Sequence, residues 1–438
     1  MTDGLLSWGL YPRYPQTPHR VHWRSDLPGL IAQNRSAFGT LLPFGNGRSY
    51  GDSCLAASDH VLAMRTLDRV LAVDWDRGVM VVEPGITLGE ILKLCMPKGW
   101  FLRVTPGTQF ATVGGAIAND VHGKNHHRQG TFGCHVPRFG LIRSDVGGLT
   151  CSADEHPELY AATIGGLGLT GIIEWAEIEL VRIQSSSIDG VTQRFGSLEE
   201  FMELSRELDP GHEFSVAWID CVARGAATGR GVYLAGDFAK DGALDLPRWR
   251  KVGVPLNPPI SLVNKLTLRM FNELYWRKHP ARRVRKAVGY EHFFYPLDGI
   301  LNWNRIYGRR GFQQYQCVMP TEVAEQGVRE LLNAIAATGQ GSFLAVLKRF
   351  GDRSSPGLLS FPKPGVTLAL DFPNQPGLEQ GLFERLDAIV REANGRMFPA
   401  KDAHMTPADF RRGYPQWERL EALRDPVLNS RFWQRVMR

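Results

Sequence analysis

At 438 residues the chain is longer than one compact hydrophobic core usually serves, so we expect two domains. Apolar residues make up 43% of the chain and charged residues 22%, proportions typical of globular proteins, and no apolar run is long enough to span a bilayer. The net charge of +6 is mild and no nucleic-acid-binding motif accompanies it, so we expect no nucleic-acid partner.

The N-terminus and the cysteines indicate a compartment. The first nine residues contain Asp3 and only a short apolar stretch, which disfavours a secretory signal peptide. The six cysteines are scattered without a Cys-x-x-Cys pair, a usage that fits a reducing compartment and disfavours a zinc site or a redox dithiol. We therefore expect a cytoplasmic protein with no metal site.

The predicted elements of the N-terminal half alternate with glycine turns. A strand leads into a glycine-rich loop over 38–47, and apolar runs at 71–73 and 79–82 flank Asp-Trp-Asp-Arg-Gly, a pattern typical of a hairpin. Thr87 is expected to cap a helix that ends near Gly99.

A further glycine-rich run follows in the sequence. It covers 165–171 and precedes a segment of alternating apolar and polar residues, which predicts a half-buried strand. Near 183–190 the composition shifts to Gln-Ser-Ser-Ser, and we place the first domain boundary there.

Residues 255–296 break the regular pattern. Prolines precede an apolar-basic stretch at 262–276, which is either a lid or lipid-facing element or an amphipathic helix packed on its domain. The basic run at 277–286 that follows is either a contact for a phosphate or an anionic membrane surface, or a solvated basic face.

The C-terminal half has a clearer order of elements. We predict a strand at 315–319, a helix at 321–338, strands at 343–347 and 366–370, a helix over 382–390 that ends at Gly395, and a strand at 397–398. This β-α-β-β-α-β order predicts an antiparallel sheet with helices on one face.

Two glycine loops carry the strongest functional signal. Residues 45–51 read Gly-Asn-Gly-Arg-Ser-Tyr-Gly, and residues 105–127 lead from a Pro-Gly turn through a glycine pair to His122 and Lys124. Glycines let backbone N–H groups approach a ligand closely, and two such loops supply the donors that a dinucleotide pyrophosphate needs. The first loop is neither a Rossmann fingerprint, because its third glycine is one place late, nor a Walker loop.

These motifs resemble a known family of flavoenzymes. Gly-Asn-Gly-Arg-Ser-Tyr-Gly-Asp (45–52), Pro-Gly-Thr (106–108) and Thr-Val-Gly-Gly-Ala-Ile-Ala-Asn-Asp-Val-His-Gly-Lys-Asn-His-His (112–127) closely resemble the vanillyl-alcohol oxidase / para-cresol methylhydroxylase superfamily. Within it, the resemblance is to the oxidases of decaprenylphosphoryl-β-D-ribose and covers nearly the whole chain. It extends to the segments 215–220, 314–316, 346–351 and 400–402.

The resemblance implies an α+β fold in which a two-lobed FAD-binding domain of the vanillyl-alcohol oxidase type carries an inserted substrate domain, whose antiparallel sheet is covered by helices. We assign 1–183 to the FAD-binding domain, 184–395 to the substrate-binding (cap) domain with a candidate mobile lid at 255–296, and 396–438 to a C-terminal tail that returns to the FAD domain. Many members bond the flavin to a histidine in the first glycine loop. Arg48 stands there in this chain, so we expect FAD to be held without a covalent bond.

The resemblance also implies the residues that bind the cofactor, with the pyrophosphate against the first loop and the ring system near the second. They are Pro43, Phe44, Gly45, Asn46, Gly47, Arg48, Ser49, Tyr50, Gly51, Asp52, Ser53, Gly107, Thr108, Thr112, Val113, Gly114, Gly115, Asn119, Asp120, Val121, His122, Ile172 and Phe398.

Lys401 and His122 are the implied catalytic residues. Lys401 matches the family's active-site lysine and would contact the reacting hydroxyl. As an ammonium it would stabilise the negative charge that develops on the substrate oxygen. To act as the base instead, it would need a depressed pKa. His122 would hydrogen-bond the flavin or the substrate. The implied substrate site consists of Lys124, Trp218, Phe294, Gln314, Gln316, Lys348, Ala369 and Lys401.

Two of these positions depart from the family pattern. By the resemblance, Ala369 occupies the position of a family cysteine, and Phe294 occupies the position of the family's tyrosine before the Pro-Leu-Asp segment. The cysteine is not needed for hydride transfer, so the reaction survives the change, but both substitutions alter the pocket.

The implied function is FAD-dependent oxidation of a secondary alcohol on a sugar, namely the 2′-hydroxyl of polyprenyl-phosphoryl-β-D-ribose. This is the first half of epimerisation to the arabinose form in cell-envelope polysaccharide biosynthesis, with a short-chain reductase as the partner that completes it and a peripheral contact at the inner face of the membrane. One alternative is an oxidase or dehydrogenase of a free sugar, alditol or aldonolactone on the same fold. Another is a non-catalytic flavin- or lipid-binding protein.

Overall fold

The computed structural model describes residues 4–245 and 252–438. Residues 1–3, which include Asp3, and residues 246–251 of the predicted substrate domain lie outside the described ranges. The first elements are β1 (Thr17–Arg20), α1 (Leu27–Phe38), β2 (Leu42–Phe44) and β3 (His60–Ala63). The three strands form a parallel sheet in the order β1-β3-β2, and the first glycine loop leaves the end of β2.

A second, antiparallel sheet follows. Its region contains β4 (Val70–Asp74), β5 (Val79–Val82), α2 (Leu88–Cys95), β6 (Trp100–Leu102), α3 (Val113–Ala118), α4 (His126–Gln129), β7 (Arg138–Arg143), β8 (Gly147–Ser152), α5 (Pro157–Thr163) and β9 (Ile172–Arg182). The strand order is β4-β5-β9-β7-β8, and β6 pairs with β9. The predicted hairpin is confirmed as β4 and β5. Thr87 caps α2 as predicted: its Oγ1 accepts from the Glu90 N–H at 3.2 Å, and the Glu90 carboxylate accepts from the Thr87 N–H at 2.8 Å.

The third region builds an eight-stranded sheet. It contains β10 (Ser187–Phe195), α6 (Leu198–Leu208), β11 (Phe214–Ile219), β12 (Gly231–Phe238), β13 (Val252–Gly253), α7 (Lys265–Lys278), β14 (Val284–Gly289), α8 (Tyr290–Phe294), β15 (Ile300–Leu301), β16 (Phe312–Pro320), α9 (Ala324–Thr338), β17 (Ala345–Phe350), β18 (Gly365–Pro373), α10 (Glu384–Glu392) and β19 (Arg396–Met397). The sheet is antiparallel throughout, in the order β14-β10-β12-β11-β17-β18-β16-β19. The predicted β-α-β-β-α-β order is confirmed by β16, α9, β17, β18, α10 and β19. The strand predicted at 343–347 begins and ends later, which places Lys348 inside β17.

Helices α6, α9 and α10 cover one face of this sheet. Because strand side chains alternate between faces, Tyr315 and Leu368 point into the helical layer and are buried there. The Tyr315 hydroxyl donates to Asp387 of α10 at 2.8 Å. Their neighbours Gln314 and Gln316 point to the opposite face, which forms one wall of a cavity.

The C-terminal tail crosses back to the N-terminal region. After β19 it forms α11 (Pro407–Gly413), α12 (Trp417–Leu423) and α13 (Arg431–Val436). Arg435 of α13 donates to Asp52 at 2.8 Å and to Asp402 at 2.8 Å, so the tail is fastened to the first glycine loop. The division into two domains and a tail remains a prediction.

The stretch predicted as a lid or a packed amphipathic helix contains α7. Its Leu268 and Asn272 are buried, and the Asn272 amide donates to Asp220 at 2.8 Å. Over the described part of the chain, α7 and the other helices are all too short or too polar to cross a bilayer.

Candidate active site

A cavity of about 470 Å³ lies between the glycine loops and the open face of the eight-stranded sheet. The two loops meet at its edge, where the Asn46 side-chain amide donates to the Phe110 carbonyl at 2.8 Å. The tail closes the cavity on a third side, because the Tyr50 N–H donates to the Ala400 carbonyl at 2.9 Å, next to Lys401. Three distant parts of the sequence therefore share one site.

Most of the residues predicted to bind the cofactor line this cavity. They are Pro43, Gly45, Asn46, Gly47, Arg48, Ser49, Tyr50, Ser53, Gly107, Thr108, Thr112, Gly114, Gly115, Asn119, Val121, His122 and Phe398. The third glycine run contributes Gly168 and Gly171 to the same wall.

The close approach of the two loops depends on Gly45. A Cβ at this position would lie 2.4 Å from Oγ1 of Thr112, the hydroxyl that accepts from the Gly115 N–H at 3.3 Å and caps α3. A side chain there would displace the cap or push the loops apart. The glycine keeps the backbone of both loops accessible to a ligand.

Three buried polar atoms in the wall have no hydrogen-bond partner among the described residues: Arg48 Nε, Ser53 Oγ and His122 Nδ1. Buried donors are rarely left unsatisfied, so they favour a polar ligand in the cavity. Together with the glycine cradle they suit the phosphates and polar ring edge of FAD, so the residues present fit this cofactor.

Three apolar residues predicted to bind the cofactor do not line the cavity. Phe44, Val113 and Ile172 are buried in the hydrophobic core. Along β9 the alternation of side chains turns Ile172 inwards and brings Ile173 to the cavity instead.

Three polar or small residues are likewise engaged elsewhere. Gly51 packs against the tail, since a Cβ there would lie 1.7 Å from the Asp402 carbonyl oxygen. Asp52 accepts from Arg435, and Asp120 accepts from the Gly133 N–H at 2.9 Å and from two serine hydroxyls. These residues hold the loops in place from behind the cavity wall.

All eight residues predicted for the substrate site line the cavity. They are Lys124, Trp218, Phe294, Gln314, Gln316, Lys348, Ala369 and Lys401. Strand register brings four of them together, because Trp218 pairs with Val346, Val346 and Gln316 both pair with Ala369, and Lys348 pairs with Thr367. Side chains on paired positions share a face. The sheet therefore presents an amide, a lysine and an indole side by side.

Three lysines give the cavity its electrostatic character. Burial lowers the pKa of Lys401 from 10.5 to about 7, with the charge of Lys348 adding to the shift and Asp371 opposing it. Burial lowers the pKa of Lys348 to about 8. Burial and the nearby charge of Lys348 together lower the pKa of Lys124 to about 7. Each amine is therefore able to exchange a proton near neutral pH.

Lys401 is held against the first glycine loop. Its Nζ lies 3.5 Å from the centroid of the Tyr50 ring, a cation–π distance. Behind it, Asp371 accepts from the Gln314 amide at 2.6 Å and from the Tyr307 hydroxyl at 3.4 Å, and burial raises the pKa of this carboxyl to about 7. Asp371 is a site residue that the sequence analysis missed; its position two residues after Ala369, on the same strand face, is the signal that reveals it.

A hydrogen-bond chain orients His122. The Thr367 hydroxyl donates to the Cys317 carbonyl at 2.8 Å, so it accepts from Gln316 Nε2 at 3.3 Å. The same amide nitrogen therefore donates to His122 Nε2 at 3.1 Å. Burial holds the pKa of His122 well below its usual range. The neutral ring then carries its proton on Nδ1, the unpartnered atom in the cavity wall.

Asp298 and Trp8 are among the wall residues that the sequence analysis did not select. Asp298 accepts from the Thr108 hydroxyl at 2.9 Å and from the Gln109 N–H at 2.8 Å, which joins the Pro-Gly-Thr turn to the segment after α8. Trp8 lies 4.0 Å beneath the Arg48 guanidinium and comes from an N-terminal segment without a motif.

The basic run at 277–286 does not line the cavity. It continues from the end of α7 into the edge strand β14, and Arg283, just before this strand, pairs with Glu207 at 2.7 Å. The run is therefore not part of the cavity wall, and the lysines that line the cavity are Lys124, Lys348 and Lys401.

Comparisons with known proteins identify the family. Residues 24–147 match the FAD binding domain family. The chain is 36% identical to decaprenylphosphoryl-β-D-ribose oxidase of Mycolicibacterium smegmatis over 446 aligned residues. The alignment covers 97% of this chain and 95% of that protein. An uncharacterised protein of Streptomyces coelicolor is 34% identical over 359 residues, 78% of this chain and 96% of that protein.

A human relative shares only part of the chain. Delta(24)-sterol reductase of Homo sapiens is 30% identical over 122 residues, 28% of this chain and 24% of that protein. The full-length match, the FAD binding domain and the cavity built from both glycine loops lead to the same assignment. The chain belongs to the decaprenylphosphoryl-β-D-ribose oxidase family of FAD-dependent oxidoreductases.

Proposed function

We propose that the chain oxidises the 2′-hydroxyl of a polyprenyl-phosphoryl-β-D-ribose, with FAD bound non-covalently between the two glycine loops. The observation that carries this proposal is the convergence of Lys401, Lys348 and Lys124 on the same cavity as the glycine cradle. Amines with pKa values of about 7 to 8 suit both a proton transfer and the binding of a phosphodiester.

FAD, when bound, supplies the two-electron acceptor for the hydride that leaves the sugar carbon. Neutral Lys401 would take the proton of the reacting hydroxyl while the C–H bond of the same sugar carbon breaks. The alcohol then becomes a ketone, and the lysine becomes an ammonium. Asp371 lies behind this amine and stabilises its charged form. The proton and the electron pair thus leave the substrate to different acceptors.

The other residues of the site bind and orient. Gln314 and Gln316 would offer amide groups to the sugar hydroxyls. The indole ring of Trp218 would form an apolar part of the wall, because its Nε1 already donates to the Phe343 carbonyl at 2.8 Å. His122 would donate from Nδ1 to the cofactor or the substrate. Lys348 and Lys124 would attract the phosphodiester.

The cofactor is proposed to be non-covalent because Arg48 replaces the family's histidine. Its guanidinium stacks 4.0 Å over the Trp8 ring and presents the unpartnered Nε to the cavity. A protonated guanidinium is not a nucleophile and instead suits a phosphate. Ala369 and Phe294 make the neighbouring part of the wall apolar without removing any group that the reaction uses.

The proposal includes two partners. Epimerisation requires a hydride to return to the opposite face of the same carbon, so a short-chain reductase would consume the ketone. A prenyl chain keeps the substrate in a bilayer, so we propose that the protein works peripherally at the inner face of the membrane.

The test is product identification. The purified holoenzyme is incubated with polyprenyl-phosphoryl ribose and an electron acceptor, and the product is reduced with borodeuteride. We expect deuterium at C2 of the recovered pentose and both epimers at that carbon. Deuterium elsewhere, or oxidation of free ribose, an alditol or an aldonolactone in preference to the lipid-linked sugar, would assign the alternative function.

A further inference from the structure

Exposed apolar side chains follow one face of α7. Leu266, Met270 and Leu274 recur at intervals of four residues, and 69%, 57% and 66% of their surfaces are exposed. Leu268 and Asn272 lie on the opposite face and are 1% and 0% exposed. The helix therefore packs on the molecule by one face and presents leucine and methionine to the solvent on the other.

The loop before α7 continues this feature. Leu256, Ile260 and Leu262 are 77%, 74% and 54% exposed, and the Leu262 N–H donates to the Ile306 carbonyl at 2.8 Å, which fixes the loop to the body. We define the apolar ridge as Leu256, Ile260, Leu262, Leu266, Met270 and Leu274. Apolar side chains that are exposed together along one segment in this way are typical of an interaction surface.

The segment that carries the apolar ridge is rich in positive charge. Residues 252–310 hold eleven lysines and arginines against three acidic residues, an excess larger than the net charge of +6 on the whole chain. Arg277 follows Leu274 on the exposed face of α7, and Arg309 and Arg310 are exposed beside the loop. The apolar ridge and these basic residues are therefore complementary to a partner surface with an apolar interior and a negatively charged boundary.

The mouth of the cavity lies beside the apolar ridge. Ile300 and Leu301 line the cavity, yet 43% and 38% of their surfaces are exposed, so the cavity opens at β15. This strand pairs with β13 at the start of the same loop, where Val252 is 67% exposed. Tyr275 of α7 also lines the cavity. The prenyl chain of a substrate that leaves the cavity through this opening would lie next to the apolar ridge.

We infer that the apolar ridge and its basic surroundings dock on the surface of an anionic lipid bilayer, from which a lipid-linked substrate enters the cavity. The inference deepens the proposed function and rests on it for the route of the substrate. Side chains of this kind insert at the boundary of headgroups and acyl chains, while lysines and arginines attract anionic headgroups.

The test is co-sedimentation of the FAD-loaded protein with vesicles of phosphatidylcholine, with and without phosphatidylglycerol. We expect strong binding to the anionic vesicles and weak binding to the neutral ones, with a decrease at high salt. The triple variant L266S/M270S/L274S should bind the anionic vesicles at least about tenfold more weakly, since three exposed apolar side chains are removed.

The control is Leu94→Ser, which removes a leucine that is 48% exposed on α2, outside the ridge. It should bind like the wild type. Equal binding by the triple variant, or no binding by the wild type, would overturn the inference. A wild-type dimer that the triple variant abolishes would assign the surface to a second copy instead.

The proposed function is tested separately with a water-soluble substrate that carries a short prenyl chain. The triple variant should reduce its flavin with this substrate at the wild-type rate, because the cavity is unchanged. Loss of vesicle binding with unchanged reduction supports both proposals. Vesicle binding without reduction by any ribosyl lipid would refute the proposed function and leave the docking surface intact.

Discussion

Lys401 gives the sharpest prediction because burial lowers the pKa of its amine to about 7. If neutral Lys401 accepts the hydroxyl proton, roughly one tenth of the enzyme is competent at pH 6 and roughly nine tenths at pH 8, so the rate of flavin reduction should rise about tenfold across this range. Lys401→Met should lower the rate about 10² to 10⁴-fold and abolish this dependence. Anaerobic stopped-flow absorbance at a series of pH values measures both effects.

Lys363→Met is the matched control. Burial also lowers the pKa of Lys363, to about 8, but its amine donates to the Asn394 carbonyl and does not line the cavity. This variant should keep the wild-type rate and pH profile. FAD content and thermal stability must be normal in both variants. A Lys401→Met enzyme that retains the wild-type rate, or the same acid limb, would refute the assignment of Lys401 as the base.

Three further predictions concern the cofactor and the tail. Gly45→Ala should purify with little FAD, because a Cβ there lies 2.4 Å from a threonine hydroxyl that caps α3; absorbance gives the flavin-to-protein ratio. Since Arg48 is not a nucleophile, acid precipitation of the protein should release all flavin into the supernatant. His404 lies 3.2 Å from the carboxylates of both Asp387 and Asp402, and these charges and hydrogen bonds raise its pKa against the effect of burial. The charged imidazole therefore stabilises the fold fully below the unfolded pKa of about 6.5, and this stabilisation is lost as pH rises through the folded pKa. His404→Gln should lower the free energy of unfolding by about 3 kcal/mol at pH 6 and by less at pH 9. Urea denaturation at the two pH values measures the difference.

The controls for these predictions come from the same chain. Gly29→Ala adds a Cβ with no atom within 4 Å and should keep full FAD, and His22→Gln changes an exposed histidine and should leave the unfolding free energy unchanged. Normal flavin content in Gly45→Ala would contradict the cradle. Flavin that stays with the precipitate would show a covalent bond. Equal destabilisation by His404→Gln at both pH values would show that its charge does not matter.

Local signals account for the parts of the fold that the sequence predicts. Thr87 and Glu90 form the capping box that starts α2, and apolar periodicity marks α9 and α10. Strand β14 was missed because it lies at the sheet edge and carries Arg285 and Lys286 where a buried strand would carry apolar residues. Its identity depends on pairing with β10, which no local pattern encodes.

The same distinction applies to the site. The glycine loops are contiguous motifs, so the sequence and the resemblance locate most of the cavity wall. Asp298 and Trp8 enter it through contacts with residues that are 190 and 40 positions away along the chain. Ile172 fails to line the cavity by a single position, since Ile173 on the other strand face lines it. Motifs predict which segments meet, and register decides which side chains point inwards.

The most direct test of the central claim is an anaerobic titration of the purified yellow protein with polyprenyl-phosphoryl ribose. We predict that one equivalent of substrate bleaches one equivalent of bound flavin, whereas free ribose at the same concentration leaves the absorbance unchanged. Protein that binds FAD but stays oxidised with the lipid-linked sugar, or well-folded protein that does not bind FAD, would contradict the account.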